Sequence, residues 1–212
     1  MSALLVFAVG QIMSNPGQWY IKNQMYSTRV FNGLVANSML GKKPVAPAAA
    51  KRTQFKAVAP LLPKLLASKF EAGKREQAER LFVSHLNLYR ETARKDGFPA
   101  DDLAYALEYF VVNNYHLAKD LMGTGGMITM PQERAIYRQF QGLLAGNAAA
   151  TKLTDREKQQ ATEMLAIGFG MNYSVFQSGA KEQARASARQ GVEKLVGAPL
   201  EKMLFTETGI EL

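Results

Sequence analysis

The chain has 212 residues, 47% of them hydrophobic, which is enough for one domain with a real core plus an appendage, or for two small domains. It contains no cysteine, and this excludes disulfides and thiolate zinc sites. The net charge of +8 does not belong to the whole chain: residues 41–75 hold nine basic residues against Glu71 alone, whereas residues 76–212 hold 15 basic and 17 acidic.

The first element is the apolar run Ala3–Val9, which ends in Ala8-Val9-Gly10, a small-residue site like the one that closes an export signal. A complete signal carries a basic region before the apolar run, and only Met1-Ser2 stand there. The segment is therefore expected to be a signal remnant or a short membrane-proximal helix. Trp19, Tyr20, Ile21, Met25, Tyr26, Val30, Phe31 and Leu34 then recur at helical spacing, predicting an amphipathic helix over about 18–38. The division expected is an apolar and aromatic segment over 1–40, a basic Pro/Ala-rich linker over 41–54, and a helical bundle over 55–212. The linker follows from GKKPVAPAAAKR, which has prolines and lysines but no periodicity.

Pro60 to Phe70 predicts a short helix with Pro63 in its first turn, where a missing N–H costs nothing. Lys74 to Asp96 predicts a longer one, with Ala78, Leu81, Phe82, His85, Leu88, Tyr89 and Thr92 on one face and Gly97 as its stop. The next stretch, Asp101 to Met122, organises the rest. Leu103, Leu107, Phe110, Leu117 and Leu121 share a face, and Ala104, Tyr105, Val111, Val112 and Tyr115 spread apolar surface around the remainder. A helix apolar nearly all round must be surrounded. Glu108, Asn113, Asn114 and His116 interrupt it too often for lipid, so it is expected at the centre of the bundle.

Gly123, Gly125 and Gly126 end that helix, and Pro131 opens another that runs to Gly146-Asn147 with Ile136, Phe140, Leu143 and Leu144 as its stripe. Thr154-Asp155-Arg156-Glu157 has the spacing of a capping box, in which hydroxyl and carboxylate each bind the other residue's amide. It predicts a helix to about Gln177, with Ala161, Met164, Leu165, Gly168, Val175 and Phe176 inward. A last long helix over about 181–196 offers the small face Ala184, Ala188, Gly191, Val192 and Leu195, suited to a close helix contact. Phe205 to Leu212 reads as a tail, and no stretch alternates as a strand would. The expected fold is all-α: a compact bundle of about five to six helices around a central apolar helix, with an extra N-terminal helix and linker.

Several runs in residues 55–212 carry a family resemblance. They are Asp101-Asp102-Leu103-Ala104 with Ala106-Leu107, then Arg138-Gln139, then Leu153-Thr154-Asp155-Arg156-Glu157-Lys158-Gln159 with Glu163, and finally Leu204-Phe205-Thr206-Glu207-Thr208-Gly209. In these the chain resembles an uncharacterised bacterial family known only as a domain of unknown function. The resemblance implies a helical and generally exported protein, and it says nothing about chemistry.

Candidate chemistry is sparse. Glu108 lies in the most apolar segment, where an ionised carboxylate is costly unless paired, so it is ion-paired with an arginine such as Arg90 or Arg138, exposed at a gap between helices, or a raised-pKa acid in a cleft. His116 and Asp120 are four apart and could touch on a helix, as a metal-ligating or base-orienting pair. His85 sits among apolar neighbours and reads as a core histidine. The Gly123–Gly126 loop follows a helix and lacks the Gly-Lys-Ser/Thr ending of a phosphate loop. No residue is assigned a catalytic, cofactor-binding or metal-ligating role, and no cofactor is expected.

The favoured function is therefore a non-enzymatic, exported helical protein, periplasmic or secreted, that binds a protein or a cell-envelope component. A cytoplasmic location is the alternative. An enzyme with a site around Glu108 or His116/Asp120 comes second. Nucleic-acid binding through the basic arm 41–75 comes third, because that arm lacks interleaved aromatics and any recognition motif. The same arm is expected to make weak contact with anionic membrane.

Overall fold

A computed structural model describes residues 50–124 and 128–212. The expected signal remnant, the helix over 18–38 and most of the linker lie outside the described residues. What is described is an all-helical bundle with one small hairpin at its end. A single helical turn, α1 (Ala50–Thr53), is followed by α2 (Leu62–Ala67), α3 (Arg75–Asp96), α4 (Leu103–Ala118), α5 (Met130–Gly146), α6 (Asp155–Gln177) and α7 (Lys181–Val196). The strands β1 (Leu204–Thr206) and β2 (Gly209–Glu211) pair antiparallel, with Phe205 opposite Ile210.

The centre is where the all-round apolar pattern places it. α4 packs against α5, α6 and α7, and of its residues only Asn113, His116 and Ala118 escape full burial. Its start is fixed by Asp102, whose Oδ1 accepts the Ala104 amide at 2.8 Å. The other oxygen of Asp102 accepts the Tyr137 hydroxyl at 2.7 Å, and Thr53 of α1 adds a further hydrogen bond. A buried carboxylate is tolerable when its lone pairs are taken in this way.

Two predicted details of helix chemistry are present. The capping box forms, with the Thr154 amide donating to Glu157 Oε2 at 2.8 Å and the Glu157 amide to Thr154 Oγ1 at 3.3 Å. Gly97 closes α3 at φ 72°, a left-handed conformation that glycine adopts without a Cβ penalty. The small face of α7 is buried at Ala184, Ala188, Gly191, Val192 and Leu195, letting its backbone come close to its neighbours. The polar interior is bonded across three helices: Asn172 Nδ2 donates to Asn114 Oδ1 at 2.8 Å, and Ser187 Oγ to Asn172 Oδ1 at 2.8 Å.

Two details differ. The C-terminal stretch is a hairpin held on α5, not a loose tail. Glutamine side chains take the place of a neighbouring strand: Gln139 bonds both main-chain groups of Ile210, at 2.8 and 3.0 Å, and Gln132 donates to the Phe205 carbonyl at 2.7 Å. Three-residue strands are too short to show alternation, which is why the sequence pattern misses them. The body also starts earlier than residue 55, because α1 packs on α5 and Thr53 is buried.

Candidate functional site

The carboxylate singled out in the central helix is sealed. Glu108 is 2% exposed, its Oε1 has no hydrogen-bond partner among the described residues, and it forms no ion pair with Arg90 or Arg138. Burial first, then the charges of Glu133 and Asp96, hold its carboxyl well above the usual range. The raised-pKa part of the expectation is met, but the group lies in the core and not in an open cleft. Glu133, in the first turn of α5, is pushed up to about 7 by burial and by Asp96.

The His116–Asp120 pair does not form. α4 ends at Ala118, and Asp120 takes a left-handed conformation at φ 59°, so helical i,i+4 spacing no longer applies. Asp120 instead meets Arg185 of α7 at 3.1 Å. His116 Nε2 is buried without a described partner, and burial lowers its pKa. His85 is a core residue, as expected; burial takes its pKa down to about 4, and Ser174 Oγ lies 3.4 Å from its Nε2. It packs directly on the α6 backbone, since a Cβ built at Gly170 would meet His85 Cγ at 2.3 Å. Gly123 is left-handed at φ 82°, a helix stop; Gly125 and Gly126 lie outside the described residues.

The residues that do converge lie on α6. Asp155, Lys158, Gln159 and Glu163 fall at helical spacing and all reach toward one extended strap, residues 54–62. Lys158 Nζ donates to the Gln54 carbonyl at 3.0 Å, and Asp155 Oδ2 accepts the Lys56 amide at 3.0 Å. Gln159 bonds both sides of Val58, accepting its amide at 3.0 Å and donating to its carbonyl at 3.1 Å. Glu163 accepts the Leu61 amide at 2.9 Å, the Leu62 amide at 2.7 Å and the Gln159 Nε2 at 2.8 Å. Opposite, the Phe55 amide donates to the Asp101 carbonyl at 3.1 Å.

This is a clamp that reads main chain. Strap side chains at Lys56, Val58, Ala59 and Pro60 are exposed, while Phe55, Leu62 and Pro63 are buried at its two ends. Buried Glu163 and Gln159, 3% exposed each, have their polar atoms satisfied by strap amides and by each other. The sequence marked these α6 residues only through the capping box and a run that carries the family resemblance, because their partners lie about a hundred positions upstream.

The basic arm 41–75 divides at this point. Lys56, Lys64 and Lys69 are exposed on the body, whereas Lys42 and Lys43 fall outside the described residues. Among the described residues no helix is long and apolar enough to cross a membrane, and no group of three or more His, Cys, Asp or Glu could hold a metal ion.

A sequence model described as a family of unknown function, DUF6683, matches residues 1–212. No curated protein and no solved structure matches the chain.

Proposed function

The chain belongs to DUF6683, a family of unknown function, and we propose that it acts there as a non-enzymatic, exported helical protein that binds a cell-envelope component. In this reading the bundle is the holder and residues 1–49 are the binding element. The observation that carries it is the clamp: the α6 row spends its buried polar groups on securing the stretch where the lead-in joins the body. Residues 1–49 hold Lys22, Arg29, Lys42 and Lys43, no acid, and the apolar run Ala3–Val9. Basic and apolar residues together suit an anionic membrane surface, where each lysine or arginine contributes about 1 kcal/mol. Glu108 is sealed in the core and His116 is not paired with Asp120, which weighs against the enzyme reading.

Sedimentation with anionic and with neutral phospholipid vesicles tests the proposal. The full chain is expected to pellet with anionic vesicles at low salt and to be released as salt screens the contact, while a chain starting at Ala50 stays in solution. Equal pelleting of both chains, or none by the full chain, would remove the lead-in from the function. Export is tested separately, by fractionating cells that express the full-length reading frame; finding all of the protein in the cytoplasm would end that part.

A further inference from the structure

We propose that the strap is an exchangeable arm: the α6 clamp of one copy can take residues 50–59 of a second copy, joining two molecules through reciprocal straps. The clamp does not tolerate a vacancy. Lifting residues 50–59 would leave Gln159 and Asp102, both buried, without the Val58 main-chain groups and the threonine they now bond, while Glu163 keeps the Leu61 and Leu62 amides. Whatever replaces it must supply the same main-chain positions, a side chain for the Phe55 seat and a hydroxyl for Asp102. A second copy supplies all of these, because its strap is identical.

The strap is also built to separate at one place. Between the Val58 bonds to Gln159 and the Leu61 bond to Glu163 stand Ala59 and Pro60, both exposed; the Ala59 carbonyl takes one longer bond from Gln159 Nε2, at 3.3 Å, and proline has no N–H to lose. Residues before this hinge could swing to a neighbour while Leu61, Leu62 and α2 stay seated on their own body. Because a closed monomer and an exchanged dimer make the same contacts, hinge strain and concentration decide between them. Exchange would set two lead-ins side by side and raise their joint avidity for a surface. That consequence rests on the function proposed above; exchange itself does not, and it is measured without vesicles.

The test uses the full chain with Lys56→Cys and Asp155→Cys. The two exposed positions are neighbours in the clamp, and the chain has no other cysteine. Protein refolded at high concentration is treated with a short bismaleimide, and its mass is read by light scattering and denaturing gel. Exchange predicts a species of twice 23.4 kDa whose crosslink joins two chains. Deleting Pro60, which shortens the hinge, should make that species dominant, and inserting Gly-Ser-Gly after Pro60 should return it to monomer. Crosslinks confined within single chains in both the parent and the shortened hinge would overturn the proposal. So would a dimer whose crosslinks are internal, since its straps would not have exchanged.

Discussion

Replacing Glu163 by alanine tests the clamp at its most buried point. The carboxylate accepts the Leu61 and Leu62 amides and the Gln159 side chain, at 2.7 to 2.9 Å, and is 3% exposed. A hydrogen bond to a charged group contributes roughly 1.5–3 kcal/mol, and a buried donor left without a partner costs about 1–3 kcal/mol. The Leu62 amide is buried and has no water to turn to, so Glu163→Ala should cost about 3–5 kcal/mol after partial relaxation. Asp155→Ala removes one exposed bond to the Lys56 amide and should cost only about 0.5–1 kcal/mol. Urea unfolding of the full chain reads both, as midpoint shifts at unchanged slope. A Glu163→Ala cost below about 1 kcal/mol, or one equal to that of Asp155→Ala, would refute the view that α6 holds the strap through buried polar bonds.

Leu107→Ala, at a residue with 0% exposure in α4, should cost about 2–5 kcal/mol by denaturant unfolding; a cost below about 0.5 kcal/mol would place Leu107 outside the core. Gly170→Ala should cost about 1–3 kcal/mol by overpacking against His85, and adding His85→Ala should recover part of that loss. Glu108 gives a pH signature. Its folded pKa is raised, so the stability it contributes is fully present below its unfolded value near 4.5 and is lost as pH rises toward the folded one. Glu108→Gln should therefore flatten the fall in stability measured as pH rises above about 4.5, and an unchanged pH profile would show that Glu108 ionises freely.

The helices were legible because their signals are local. Gly97 and the Thr154–Glu157 box mark ends within a few residues, and the small face of α7 repeats every turn. The centre was legible from α4 alone, since a helix with so little polar surface has nowhere else to go. What escaped depends on distant partners. Asp155, Lys158, Gln159 and Glu163 stood in the sequence only beside a capping box and within a family-like run, yet three of the four are buried under the strap. Gln132 and Gln139 gave no hint of finishing a hairpin edge. His116 and Asp120 misled for the opposite reason: their spacing assumed helix beyond Ala118, where the chain turns left-handed and Arg185 claims the aspartate.

If the proposed function is right, the body folds from Ala50 onward and the preceding residues serve binding and not folding. Thermal unfolding of two truncations tests this most directly. A chain starting at Ala50 should melt within about 2 °C of the full chain, a shift of under 1 kcal/mol at this size. A chain starting at Pro60, which loses α1, Phe55 and the bonds to Lys158, Asp155 and Gln159, should melt at least about 10 °C lower. A large loss already at Ala50 would mean that the lead-in packs into the core, and no loss at Pro60 would mean that the strap secures nothing; either result contradicts the account.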